Sequence, residues 1–226
     1  MLKSEPMRPL VQSELLKRDT FGAVLLCKEP DGNRFVARDL SVAKSWARPL
    51  ARWLMRREAL ALGALPDPFP APRLLALSRD GLHRTFVEGV PMYEARPRDI
   101  EYFRAARKLL HRLHRAGLTH NDLAKEPNWL VTNDGQPALV DFQLASVFRK
   151  RTWRFRQQAR EDIRHLLKHK RTYLPDHLTR RERGILGRPS LPSRIWSATG
   201  KKLYLFITRV LLNWSDREGA ADRGRQ

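Results

Sequence analysis

The sequence predicts an α+β protein of two segregated lobes, a β-rich N-terminal lobe and a mostly helical, reduced C-terminal lobe. Three observations predict it. Residues 14–40 alternate short apolar runs with turn residues. Residues 50–65 and 99–117 carry apolar side chains at helical spacing. Residues 118–142 then place a polar hairpin inside the helical half.

The elements follow in order. ELLKR leads through the turn-prone DTFG to AVLLCKEP, and the turn PDGN leads to RFVARDL. Asp31-Gly32 between apolar runs is a hairpin signal. The helix over 50–65 stops before Pro66, and PDPFPAP forms a proline-rich connection. RLLALSRDGLHRTFVEG predicts a second strand pair turning at Asp80-Gly81. The long helix over 99–117 has Asp99 as N-cap and Gly117 as C-cap. WLV and ALV flank Asn133-Asp134-Gly135, a further hairpin, and residues 155–170 read as helix. Residues 178–194 are basic and hold Gly184, Gly187, Pro189 and Pro192, a linker-like composition. KKLYLFITRVLLNW, residues 201–214, reads as a final amphipathic helix. No internal repeat is visible.

Composition narrows the partners. With 226 residues, 42% hydrophobic and 30% charged, the chain suits one globular domain with a tail rather than disorder. Cys27 is the single cysteine, so no disulfide framework forms within the chain, which suits a reducing, cytoplasmic compartment. The opening MLKSEPMRPL has no apolar signal core, and no run of 18 apolar residues predicts a spanning helix. A net charge of +20 calls for an anionic partner. Nucleic acid, an anionic membrane face and phosphorylated substrates all qualify, against the plain alternative of an Arg-rich surface.

The chemistry concentrates in His120-Asn121-Asp122, Asn128 and Asp141-Phe142. Phosphoryl transfer asks little of covalent chemistry. It needs one carboxylate to orient and deprotonate the acceptor hydroxyl, and oxygen ligands to hold magnesium against phosphates. Asp122, Asn128 and Asp141 supply that set, and the hairpin between the last two would bring both to one end of a small sheet.

On these residues the chain resembles the protein-kinase-like superfamily. HNDLAKEPNWLV resembles its catalytic loop, VDFQ its metal-binding segment, and LLHRLHRAGLT the helix leading in. The resemblance implies ATP and Mg2+ as cofactors, Asp122 as catalytic base, Asn128 and Asp141 as metal ligands, and His120 as a structural member of the loop. Lys125 would reach the transferred phosphate. On the nucleotide side it implies Arg38 on a strand paired with Glu58 on the next helix, with Lys44 the alternative cation in another register. Gly22 in KRDTFGAV would cover the phosphates, and the backbone of Glu88 to Val90 would meet the adenine. Asp162 resembles an aspartate that braces the catalytic loop in small kinases; the plain alternative is a surface aspartate. The kinase-like domain would span 10–177, N-lobe 10–90 and C-lobe 91–177, with 178–226 a basic linker and amphipathic helix.

Five departures stand out. Arg38 is a planar fork where the family has lysine. Asn121 stands where regulated protein kinases carry arginine, and Gln143 where glycine follows Asp141-Phe142. The step from Asp122 to Asn128 is one residue longer than usual, which predicts a small bulge. Only about twenty residues separate Asp141 from Asp162, with no platform for a peptide. These features resemble the RIO-type kinases and the bacterial kinases of lipopolysaccharide core (Kdo/heptose) sugars. Three functions follow from the resemblance. The first is a kinase of a lipopolysaccharide core sugar, peripheral on the inner membrane face. The second is a RIO-like protein serine/threonine kinase near RNA. The third is a nucleotide-binding pseudokinase.

Overall fold

The computed structural model describes residues 12–187. Five antiparallel strands form the N-terminal sheet: β1 (Gln12–Asp19), β2 (Gly22–Lys28), β3 (Arg34–Asp39), β4 (Leu74–Leu77) and β5 (Gly81–Thr85), in the order β1-β2-β3-β5-β4. The β1–β2 turn is tight, with Asp19 facing Gly22 across the ladder and the Phe21 amide donating to Asp19 Oδ1 (2.8 Å). Gly22 sits at φ +126°, and a Cβ there would collide with the Asp39 carbonyl oxygen of β3. Only glycine lets the strands approach at that point.

Between β3 and β4 the chain crosses the sheet as α1 (Arg48–Gly63), preceded by a 3₁₀ turn at Ser45–Ala47. Pro49 falls in its first turn, where the missing N–H costs nothing. The inner face of α1 buries Ala51, Met55 and Ala59 against Leu40 and Leu82 of the sheet side. Its last turn sends Ala61 and Leu62 into the core of the other lobe, so one helix is shared by both cores.

After the sheet come β6 (Val90–Pro91), a single turn α2 (Met92–Ala95) and α3 (Ile100–Arg115). Asp99 caps α3 by accepting from the Glu101 amide, as its position predicts. The helix buries Tyr102, Phe103, Ala106, Leu109, Leu110 and Leu113, a stripe with steps of one and three residues. It closes with Ala116 and then Gly117 at φ +78°, so the predicted glycine lies one position beyond the cap itself.

Next follow β7 (Leu118–Thr119), β8 (Trp129–Val131), β9 (Pro137–Leu139) and β10 (Ser146–Val147). β8 and β9 form the hairpin around Asn133-Asp134-Gly135, with β6 on its other edge, and β10 pairs with β7. Two-residue strands such as β6, β7 and β10 carry no periodicity, and the sequence did not reveal them. The chain then forms α4 (Trp153–Tyr173) and α5 (Arg180–Gly187).

α5 corrects the linker reading of 178–194 over its first ten residues, and it extends the folded domain past 177. Thr179-Arg180-Arg181-Glu182 is a capping box. The Glu182 amide donates to Thr179 Oγ1 (3.2 Å) and the Thr179 amide to Glu182 Oε2 (2.9 Å). Glu182 Oε2 also takes Lys170 Nζ of α4 at 2.8 Å, a pair with both side chains under one-tenth exposed. Thr179→Val is expected to cost about 1 kcal/mol, a fall of about 2–4 °C in melting temperature for a domain of this size. The amphipathic stretch 201–214 lies outside the described residues.

Candidate functional site

Asp122 sits in the loop between β7 and β8, and its surroundings are built from that loop. Asn128 Nδ2 donates to the Asp122 carbonyl (2.8 Å) and to Asp122 Oδ2 (3.0 Å). Lys125 Nζ lies 3.3 Å from the same Oδ2. Burial raises the carboxyl of Asp122 above the ordinary aspartate range, and the charge of Asp141 adds to that; Lys125, His120 and the Asn128 bond pull the other way without prevailing.

The longer step to Asn128 runs through a 3₁₀ turn over Glu126–Asn128, where the sequence predicted a small bulge. The sequence did not single out what holds it. Glu126 turns inward, 2% exposed, and accepts from the Tyr173 hydroxyl of α4. His169 of α4 and the Trp129 indole both donate to the Leu123 carbonyl. Glu126 thus anchors the loop to α4.

The other wall of the loop rests on Asp162. Its carboxylate is fully buried and accepts the backbone amides of His120 (2.9 Å) and Asn121 (2.9 Å), and His114 Nε2 from α3 (3.1 Å). It is therefore no surface aspartate. His120 Nε2 donates to the Val140 carbonyl (3.0 Å), and its ring lies 4.7 Å from that of Phe142. That contact sets the loop against the segment holding Asp141. Asn121 stands at φ +67°, a region that asparagine tolerates better than arginine would. Its amide donates to Leu144 O (2.8 Å) and Ser146 Oγ (3.1 Å), a second tie to the same segment.

Asp141 follows β9 at φ +64°, a strained position for a residue with a side chain. Its carboxyl lies below the ordinary range. Burial opposes ionisation, but Arg84 and Arg38 outweigh it, helped by the bond from Gln143 Nε2 to Asp141 Oδ1 (2.7 Å) and by His120. So two aspartates of one site are pushed apart, Asp122 toward holding a proton and Asp141 toward losing it.

Arg38 of β3 reaches Glu58 of α1: Nε is 3.6 Å from Oε2, an ion pair too long for a hydrogen bond. Its Nη1 donates to Gln143 Oε1 (3.1 Å). Lys44 lies beyond the strand, ahead of the turn into α1, so of the two candidates it is Arg38 that meets Glu58. Arg84 of β5, which the sequence did not flag, makes the shorter bond to Glu58. It faces Arg38 through the ladder pairings of Val36 with Arg84 and Arg38 with Leu82, a cross-strand relation invisible without register. Gln143 proves to be a bridge: Arg38, Gln143 and Asp141 form one hydrogen-bonded chain from the sheet to the candidate metal ligand.

The remaining nucleotide-side residues are placed less tightly. Gly22 has its packing reason in the Asp39 carbonyl, independent of any phosphate. Glu88 lies in the connection after β5, exposed and paired with Arg34 of β3, while Val90 opens β6 opposite Val131.

The donor set fits a hard divalent cation. Asp141 is held ionised, and the amide nitrogen of Asn128 is engaged on Asp122, which leaves its oxygen for a cation. Among the described residues no three His, Cys, Asp or Glu side chains gather as a metal site. A cation held by Asp141 and Asn128 would complete its shell from phosphate oxygens and water, as magnesium does in nucleotide sites.

No family model matches the chain, and no curated protein matches its sequence. Solved structures do match its fold. The Rio2 kinase from Chaetomium thermophilum, as its ADP/Mg2+-phosphoaspartate complex, aligns with TM-score 0.56 at 15% identity, over 89% of this chain and 70% of that one. A second structure of that Rio2 kinase aligns with TM-score 0.57 at 15% identity, over 89% and 72%. The fold is that of the protein-kinase-like proteins, a β-sheet lobe joined to a helical lobe.

Proposed function

We propose that this protein is a phosphotransferase that moves the terminal phosphoryl group of ATP, with magnesium, to a hydroxyl group. One observation carries the reading most: Asp122 is half-buried, its carboxyl raised, and hydrogen-bonded to Asn128, while the carboxyl of Asp141 beside it is lowered. Opposite biases on neighbouring carboxylates are what separates a proton-accepting base from a cation ligand.

Bound magnesium would neutralise charge on the phosphates. The chain's own residues do the rest. Asp122 takes the acceptor proton, and Lys125, 3.3 Å from it, offers a cation to the phosphoryl group in transit. Asp141 and Asn128 would hold the cation. Arg38 and Arg84, anchored on Glu58, keep Asp141 charged from the sheet side.

For the acceptor, the short route from Asp141 to α4 weighs most. After the 3₁₀ turn Phe142–Leu144 and the two-residue β10, α4 begins at Trp153. So brief a segment leaves little to hold a peptide, which favours a compact alcohol, with a lipopolysaccharide core sugar at the inner membrane face as the leading acceptor. A RIO-like protein serine/threonine kinase is the second reading, favoured by the fold of the Rio2 kinases. Transfer from labelled ATP onto extracted envelope glycolipid, against transfer onto cytosolic protein, separates the two. Asp141→Asn is expected to lower magnesium-dependent transfer at least 100-fold and to weaken magnesium-dependent nucleotide binding. Nucleotide binding without transfer to either acceptor would leave the pseudokinase reading.

A further inference from the structure

We propose that the outer face of α1, together with residues 144–156, is a docking surface for an anionic lipid bilayer. The site chemistry uses only the inner face of α1. On the outer face, Trp46 of the preceding turn is 58% exposed, Leu50 48%, Trp53 51% and Leu60 58%. Their spacing of four, three and seven residues puts them in one line along the helix. A soluble helix turns polar residues outward, and a line of large exposed apolar side chains, interrupted here by Arg57 between Trp53 and Leu60, marks a contact surface.

The line runs on into the C-lobe. Leu60, Gly63 and Ala64 share an open groove of about 590 Å³ with Ala145, Val147 and Arg154. Trp153, next to that groove's Arg154, is 65% exposed. The face is firmly built: Arg57 stacks on the Trp53 ring at 4.6 Å and donates to Leu144 O (2.8 Å) and Ala145 O (2.9 Å).

Charge selects the occupant. Residues 149–156 read RKRTWRFR, with every cation exposed and no carboxylate among them. Glu58 is the one acidic residue of α1, and it is buried on the inner face. An apolar line with interfacial tryptophans, rimmed by arginine and with no exposed carboxylate on α1 or over 149–156, fits a bilayer with anionic headgroups. The chain's own residues 188–226 carry more Lys and Arg than Asp and Glu, so their charge disfavours this basic face. Nucleic acid would use the cations and stack on tryptophan, but it gives Leu50, Leu60 and Val147 nothing.

Docking requires neither nucleotide nor acceptor, so it stands apart from the catalytic reading. The test is flotation of the full chain with vesicles of phosphatidylethanolamine and phosphatidylglycerol, against phosphatidylcholine alone. The wild type is expected to float with the anionic vesicles only. The variant Leu50→Gln/Leu60→Gln/Trp153→Gln is expected to bind them at least tenfold more weakly, with melting temperature and nucleotide binding unchanged. Equal flotation of variant and wild type would overturn the proposal, since the basic tail would then suffice. So would equal binding to phosphatidylcholine. A variant that loses single-stranded RNA affinity but floats normally would make the face a nucleic-acid surface instead.

Discussion

Asp122→Asn is expected to lower phosphate transfer by about 10³-fold, within the range that a positioned general base contributes, while nucleotide binding persists. Asparagine keeps an oxygen for the bond from Asn128 Nδ2, now 3.0 Å from Asp122 Oδ2, so the loop geometry has no reason to change. Stability should not fall either. Burial raises the folded-state pKa of Asp122 above its unfolded value. A group so shifted favours the native state at low pH, and that advantage is lost as pH rises through the folded pKa. Above that pKa the ionised carboxylate is a cost, so there a neutral amide holds or raises the melting temperature. Lost transfer with an intact or higher melting temperature is the expected pair of readings.

The same shift fixes the pH profile. A base works only when deprotonated, so transfer should fall as pH drops through a pKa above the usual aspartate range. Lys125 lowers that pKa, so Lys125→Ala should move the acid limb to higher pH as well as lowering the maximum. Transfer by Asp122→Asn within twofold of wild type would remove Asp122 from the base role.

The sequence made the order of this site readable and left its connections hidden. His120, Asp122, Asn128 and Asp141 are legible because they fall in one short stretch, where order alone limits their positions. The long helices were legible from stripes such as Tyr102 to Leu113, and Asp99 from its place before one. Arg84 was not, because its meaning comes from strand register: only the pairing of β3 with β5 sets it against Glu58. Glu126 looked like a charged loop residue, and only the approach of α4, carrying His169 and Tyr173, makes it an anchor. α5 was missed for a different reason. Glycines and basic residues outweighed the capping box at Thr179 and Glu182, although that signal was local and available. Gln143 was legible as a departure from glycine but not as a bridge, since its two partners lie on different lobes.

Glu58→Ala is expected to be the most destabilising single change in the sheet lobe. Glu58 has no exposure, and the side chains of Arg38 and Arg84 are 14% and 12% exposed, so the three charges share a nearly dry site. With the carboxylate present, each guanidinium has a counter-ion. Without it, two like charges remain side by side in a mostly buried site, and removal of one partner from such a site costs about 3–5 kcal/mol. For a domain of this size that is a fall of about 6–20 °C in melting temperature. Double substitution separates charge from packing. Glu58→Ala combined with Arg84→Met removes one of the stranded cations, so its loss should be smaller than the sum of the two single losses. Additive losses would mean that Arg84 and Glu58 act independently. The consequence should reach the other lobe as well. Arg38 and Arg84 hold Asp141 ionised, and they hold it from positions that Glu58 fixes. Guanidiniums freed from Glu58 would turn toward solvent or toward Asp141 itself, where they would compete with a cation. Magnesium-dependent nucleotide binding by Glu58→Ala, measured well below its lowered melting temperature, should therefore weaken more than binding by a variant of equal instability made at Thr179 and Lys170. Equal weakening in both would reduce Glu58 to a stabilising residue, and the chain from Glu58 through Arg38 and Gln143 to Asp141 would carry no functional coupling.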